Sequence, residues 1–309
     1  MEVFHTIDSL PRFQSGNAVT IGNFDGIHLG HRRLIEMTVA VARRMHGKAV
    51  VVTFHPHPLS VLAPQKEIKS INSQDQTIHI LQSLGIDILL MIPFDQRFAE
   101  QEPEEFVRCI ILDALCPAAV VIGKDHRFGR ERRGDARALK RILEHHQIEM
   151  IVVDPVYDGG EPISSSRIRD CIREGDIENA TRLLGRFFRL SGVVRKGWGR
   201  GRSLGYATAN ILPVDQIIPC TGVYATRTWI TNVPLPSMTY IGSSPTFHEQ
   251  SFMIETHLLD CSQDLLNARI EVEFVRRIRD DIAFPSPGEL IAQLAHDEMQ
   301  TRRILGILD

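Results

Sequence analysis

The chain has 309 residues, and at roughly 150 residues per domain that predicts two domains. Hydrophobic residues make up 43% and charged residues 24%, ordinary globular values that exclude collagen-like, disulfide-rich and disordered classes. Lys+Arg 35 against Asp+Glu 38 gives a net charge of −3, so no global basic field points to nucleic acid, and the sequence has no apolar run long enough to predict a membrane span. Five cysteines are spread widely without a C-x-x-C pair, and the first residues, Met-Glu-Val-Phe-His-Thr, lack a basic segment followed by an apolar one. Both features predict a reduced, cytoplasmic protein without a signal peptide. The sequence leaves a homo-oligomer open.

Residues 1–160 alternate short apolar runs with helical patterns. Ala18 to Ile21, Ala49 to Phe54, Ile88 to Ile92, Ala118 to Ile122 and Met150 to Val153 are strand candidates. Leu34, Ile35, Thr38, Val41, Ala42 and Met45 recur at helical spacing, and residues 104–115 and 136–145 also read as helices. That alternation predicts βαβ units around a mostly parallel sheet. The texture changes near Gly185. In residues 252–258 the alternation puts Met253, Glu255 and His257 on one face and Phe252, Ile254, Thr256 and Leu258 on the other. Ile270, Val272 and Phe274 alternate with Glu271 and Glu273. These patterns predict an antiparallel barrel or sandwich. Helix returns after Ser286-Pro287-Gly288-Glu289, an N-cap with proline at the first position, and Leu290, Ile291, Leu294 and Met299 are expected to form its apolar stripe.

The loop Gly22-Asn23-Phe24-Asp25-Gly26-Ile27-His28-Leu29-Gly30-His31 follows a predicted strand and precedes a predicted helix. Its glycines let the backbone approach a ligand, and the helix start offers N–H groups and a positive dipole end to an anion. His28 and His31, three apart, can reach one spot there and donate to phosphate oxygens. A pair at that spacing can also ligate a metal, but no Cys or carboxylate completes an evident set. A second anion site is expected where seven cations (Arg182, Arg186, Arg189, Arg195, Lys196, Arg200, Arg202) run without an acid among Gly192, Gly197, Gly199, Gly201 and Gly205.

These segments carry a resemblance. The Gly22 to His31 loop is similar to the nucleotide-binding signature of the HxGH adenylyltransferases in their flavin-synthetase form. Thr53-Phe54-His55-Pro56-His57-Pro58, Gly123 to Asp135 and Ile163-Ser164-Ser165-Ser166-Arg167-Ile168-Arg169 resemble three further segments of that family in order. Gly199-Arg200-Gly201-Arg202-Ser203-Leu204-Gly205-Tyr206-Ala207-Thr208-Ala209-Asn210, Gly222-Val223-Tyr224-Ala225 and Ile254-Glu255-Thr256-His257-Leu258-Leu259-Asp260 resemble riboflavin kinase segments. The whole looks like the prokaryotic bifunctional riboflavin kinase/FAD synthetase family. The resemblance implies a Rossmann-like α/β nucleotidyltransferase domain of the HxGH type at 1–185 and an all-β riboflavin-kinase barrel with a C-terminal helix at 186–309.

By the same resemblance, His28 and His31 serve adenylyl transfer to FMN, with Gly22, Phe24, Asp25, Gly26, Asp125, Arg127, Ser164, Ser165 and Arg169 binding nucleotide or flavin. Glu255 is the base that accepts the riboflavin hydroxyl proton. Thr208 holds Mg²⁺ and ATP, supported by Asn210, Gly201 and Arg202. ATP, riboflavin and FMN are the implied small-molecule substrates. Four positions depart from the family pattern: Ala207 stands where proline is usual, Trp198 where a small or acidic residue is usual, His126 replaces Phe, and Gly185-Arg186-Phe187-Phe188 replaces GRPY. Alanine at 207 leaves its φ free where proline would fix it, which predicts weaker Mg-ATP binding. An enzyme with only the adenylyltransferase active, and a flavin or nucleotide sensor without turnover, are the alternative readings.

Overall fold

The computed structural model describes residues 1–11, 16–197, 205–230, 233–244, 251–261 and 263–307, without the side chains of 243, 244, 251 and 252. The chain divides into two compact units. One comprises residues 1–70 and 74–164, the other residues 71–73 and 165–309. Among the described residues no helix is long and apolar enough to cross a membrane.

The first unit is built on six parallel strands: β1 (Glu2–Phe4), β2 (Ala18–Ile21), β3 (Ala49–His55), β4 (Ile88–Pro93), β5 (Ala119–Gly123) and β6 (Glu149–Val153). Their order in the sheet is β1-β4-β3-β2-β5-β6. The strands read as continuous apolar runs because both faces are covered. On one face Ala18, Ala49, Val51, Leu89 and Val121 meet Leu34, Ile35, Val41 and Ala42 of helix α1 (Leu29–Arg44). On the other, Val19, Val50, Val52, Leu90 and Val120 meet Ile110 and Ile111, together with Leu139 and Leu143 of helix α2 (Ala136–His145). The crossovers leave β2 toward β3 and β4 on one side, while β5 and β6 lie on the other. The sheet order therefore reverses between β2 and β5, and at such a point the loops beyond the carboxyl ends of two neighbouring strands part to leave a crevice.

The second unit starts with helices α3 (Ser165–Glu174) and α4 (Ile177–Leu184), the latter ended by Gly185 in the left-handed region (φ 70°). A closed antiparallel barrel follows, of strands β7 (Phe188–Arg195), β8 (Thr208–Pro213), β9 (Gly222–Trp229), β10 (Pro234–Ser244), β11 (Ser251–Leu258) and β12 (Arg269–Arg279). They close in the order β7-β8-β11-β10-β9-β12. The interior holds Phe188, Tyr224 and Phe274, with ring centroids 5.2–5.8 Å apart. A chain of buried hydroxyls runs beside them, from Thr228 through Ser237, Thr226 and Thr239 to Thr256, at 2.8–2.9 Å per step. These five polar side chains are tolerated inside because each has a partner.

The outward face of β12 is less open than its alternation predicts. Glu273 is buried between Arg189 and Arg227 (2.7 and 3.1 Å), so it is an interior ion pair and not a solvated face. The C-terminal helix α5 (Pro287–Leu305) starts as expected, with Ser286 accepting from the Glu289 N–H. Its inward face differs from the expected stripe. Ile291 and Met299 are exposed, while Asp297 and Thr301 are fully buried. Arg279 of β12 binds both Asp297 carboxylate oxygens (2.9 and 3.1 Å). A fully buried carboxylate needs a paired cation, and the half-buried Arg279 supplies it.

Candidate active sites

In the first unit, the residues after β2 turn sharply toward α1. The Asp25 N–H donates to the Asn23 carbonyl (2.8 Å), Gly26 has φ 81°, and Ile27 also sits at positive φ. His28 caps the helix: its Nδ1 accepts from the His31 backbone N–H (3.3 Å). An accepting Nδ1 carries no proton, so the neutral ring holds its proton on Nε2. The His28 and His31 rings stack, 3.7 Å between centroids and 19° between planes. Phe24, buried beside them, meets His31 edge-on at 5.3 Å. Gly30 gives the His28 ring room: a Cβ there would lie 3.1 Å from His28 Nδ1 and Cε1, so the ring would have to shift by a few tenths of an ångström. Gly22 faces the Phe24 ring.

Across the switch point, β5 ends at Gly123 and the chain turns through the His126 N–H to the Gly123 carbonyl (3.1 Å). Asp125 and Arg127 follow this turn, both exposed. Arg127 lies 3.5 Å from Asp135, the N-cap of α2, whose carboxyl the Ala138 N–H holds below the usual carboxylate range. His126 stacks near Phe128 (5.7 Å), and burial pushes its imidazole down to about 4 against the opposing charge of Asp125. His126 is therefore a neutral ring at pH 7, as the phenylalanine it replaces would be. Two loops from adjacent parallel strands thus carry His28 and His31 on one side, and Asp125 and Arg127 on the other.

In the second unit, the barrel's outer face gathers residues distant in sequence. Asn210 on β8 lies directly opposite Glu255 on β11, and Thr208 opposite His257. The Thr208 hydroxyl is 3.5 Å from Glu255 Oε2. Arg195 continues the row on one side of Asn210, and Tyr240 continues it beyond Glu255. Burial, followed by the charge of Asp281, pushes the Tyr240 hydroxyl up to about 12, so it stays a neutral donor. Gly197 packs against the Asn210 amide so closely that a Cβ would occupy its place.

A family model for FAD synthetase matches residues 10–167, and one for riboflavin kinase matches residues 184–305. A bifunctional riboflavin kinase/FMN adenylyltransferase of Escherichia coli (strain K12) is 33% identical over 304 residues, covering 98% of this chain and 96% of the relative. The chain belongs to the bifunctional riboflavin kinase/FMN adenylyltransferase family. The Bacillus subtilis (strain 168) member is 32% identical over 98% of this chain and 97% of its own length. A solved Streptococcus pneumoniae structure, described as a macrolide-efflux protein, superposes with TM-score 0.90 at 31% identity, covering 97% of this chain and 98% of its own.

In this member of the family, the structure brings Gly22, Phe24, Asp25, Gly26, His28 and His31 into one turn. It brings Thr208, Asn210 and Glu255 onto one barrel face. Ser164 ends the first unit, and Ser165 opens α3 in the second, with Arg169 buried one turn on. Gly201, Arg202 and Trp198 lie outside the described residues. Four of the seven expected phosphate cations have other partners, Arg195 among them through the Asn267 side-chain oxygen (3.0 Å). Arg182 donates to Asn179, Arg186 to Asn72, and Arg189 to Glu273 while stacking 4.0 Å over Trp229. A charge run read in one dimension does not show which cations the sheet pairs with acids on neighbouring strands. Sequence reasoning also gave His257 and Gly197 no role of their own. The signal for His257 was present, since a period of two puts it on the face of Glu255.

Proposed function

We propose that this chain performs both reactions of its family. Riboflavin and ATP give FMN and ADP at the barrel, and FMN and a second ATP give FAD and pyrophosphate at the parallel-sheet unit. The observation that carries the reading is that each half holds its own assembled group: the stacked His28–His31 pair at a helix start, and Glu255 beside Thr208 and Asn210. We assign the adenylyltransferase to residues 1–185 and the kinase to 186–309.

In the kinase, Glu255 accepts the proton of the ribityl 5′-hydroxyl as its oxygen attacks the γ-phosphate of ATP. Thr208 and Asn210 align the phosphates, and Gly201 and Arg202 bind the same nucleotide. Phosphoryl transfer depends mainly on such alignment and on charge neutralisation. Thr208, next to a carboxylate, offers the hard oxygen donors that suit Mg²⁺. Among the described residues no group of three or more His, Cys, Asp or Glu could hold a metal. When bound, Mg²⁺ neutralises phosphate charge.

In the adenylyltransferase, the FMN phosphate attacks the α-phosphorus of ATP and pyrophosphate leaves. His28 donates from Nε2 and His31 beside it to the phosphate oxygens, with Gly22, Phe24, Asp25 and Gly26 shaping the approach. Asp125 and Arg127 orient the flavin or nucleotide, and Ser164, Ser165 and Arg169 bind phosphate. All five cysteines are free, in keeping with a reducing cytoplasm. The substrates are small molecules, and nucleic acid and membrane have no part in the reading.

The test is one incubation of purified protein with riboflavin, excess ATP and Mg²⁺, resolved into riboflavin, FMN and FAD, with a parallel tube started from FMN. FAD in both tubes is expected. FAD only from FMN would restrict the chain to adenylyl transfer, and bound flavin without product would make it a sensor.

A further inference from the structure

Thr208 is poorly anchored by its own strand. It is the first residue of β8, and on the β7 side the ladder runs from Gly192↔Pro213 only as far as Arg195↔Asn210. Among the described residues Thr208 therefore pairs with a strand on one side alone, through His257 of β11. The residue before it is alanine, whose φ is not fixed as proline's would be. Its hydroxyl lies 3.5 Å from Glu255, at the limit of a hydrogen bond, so a small displacement separates the two groups.

We propose that His257 is a positioning residue for riboflavin phosphorylation: its Nδ1–H, donated to the Ala207 carbonyl, holds Thr208 beside Glu255. The inference rests on the kinase assignment above. The Nδ1···O distance is 2.9 Å, and a carbonyl can only accept, so the proton is on Nδ1. The ring is itself held. Tyr206 meets it edge-on at 5.1 Å between centroids. Burial, followed by the charge of Glu298 on α5, pushes the Tyr206 hydroxyl up. Glu298 pairs with Arg302 (2.9 Å), and Arg302 grips both carboxylate oxygens of Asp260 (2.7 and 2.8 Å), two residues past the end of β11. The C-terminal helix thus ties the segment before Thr208 to the strand that carries Glu255.

The test compares His257→Ala, His257→Asn and His257→Gln. An Asn amide nitrogen falls near the place of Nδ1, whereas that of Gln falls near Nε2. With His257→Ala and His257→Gln, the KM for ATP in riboflavin phosphorylation should rise about tenfold, the equivalent of ~1.4 kcal/mol, with kcat changed less. His257→Asn should stay close to the parent, and FMN adenylylation should be unchanged in all three. Backbone amide exchange over residues 205–211, measured by mass spectrometry, should quicken in the Ala and Gln variants and not in the Asn variant. Unchanged exchange in His257→Ala, or an Asn variant as impaired as the Gln one, overturns the proposal. If the parent protein phosphorylates no riboflavin, the kinase assignment fails, and the exchange pattern alone decides whether His257 holds the segment.

Discussion

The two sites solve one problem, holding phosphate for an in-line transfer, by opposite constructions. The proposed adenylyltransferase centre is local: a strand, a glycine turn and a helix start bring His28 and His31 together, with His28 capping α1. The kinase centre is non-local. Thr208 and Glu255 are 47 residues apart and meet only because β8 and β11 pair in one register. A local site survives as long as its turn forms. A non-local one depends on every strand that fixes the register, since a slip of one residue would turn Glu255 to the opposite face.

Four experiments sharpen or break this contrast. Glu255→Gln should lower riboflavin phosphorylation by about 10²–10⁴-fold, the range for losing a general base, while adenylylation of FMN continues. An unchanged kinase rate would remove Glu255 from the mechanism. His28→Ala should cut FAD formation from FMN by about 10²–10³-fold, the range for losing one preorganised donor, and spare the kinase. His28→Asn separates its two duties. Asparagine caps a helix well, so thermal stability should return while FAD formation stays low. Recovery of FAD formation in that variant would mean that capping, not Nε2, is what matters.

Gly197→Ala addresses the non-local site without touching a reacting group. The new methyl takes the space of the Asn210 amide, and kinase turnover should fall about tenfold through misalignment with adenylylation intact. Wild-type turnover would show that Asn210 can move freely. The smallest effect is expected from His126→Phe, read as the thermal midpoint against pH. Burial depresses His126 from 6.5 to about 4, so between those values the unfolded chain binds more protons than the folded one. That part of the stability is present above pH 6.5 and declines as pH falls toward 4. Phenylalanine should flatten that decline, and an identical acid limb in both proteins would remove His126 as its source.

Much was legible in the sequence. The continuous apolar runs from Ala18 to Val153 gave a parallel sheet because strands covered on both faces need no polar alternation. The alternation in residues 252–258 put Glu255 and His257 on one face and Thr256 on the other, and the structure turns the first face outward and buries Thr256. The turn from Gly22 to His31 was readable because every contact in it is short-range. The apolar stripe expected of α5 was the clearest miss. Ile291 and Met299 face solvent and Asp297 is buried, because its carboxylate pairs with Arg279, on a strand that precedes the helix in sequence.

What the sequence determined by itself was a set of local choices: most strand and helix segments, where α1 begins, and which residues of 252–258 and 270–274 share a face. Periodicity and turn chemistry act over a few residues, so they are written in the order of the chain. What only the tertiary structure decided was pairing. It set Asn210 opposite Glu255, gave Arg189 to Glu273 instead of a phosphate, and put the Ala207 carbonyl within reach of His257. Each of these joins residues whose separation along the chain carries no information about their distance, because strand register and the burial of charge are settled only when the whole barrel closes.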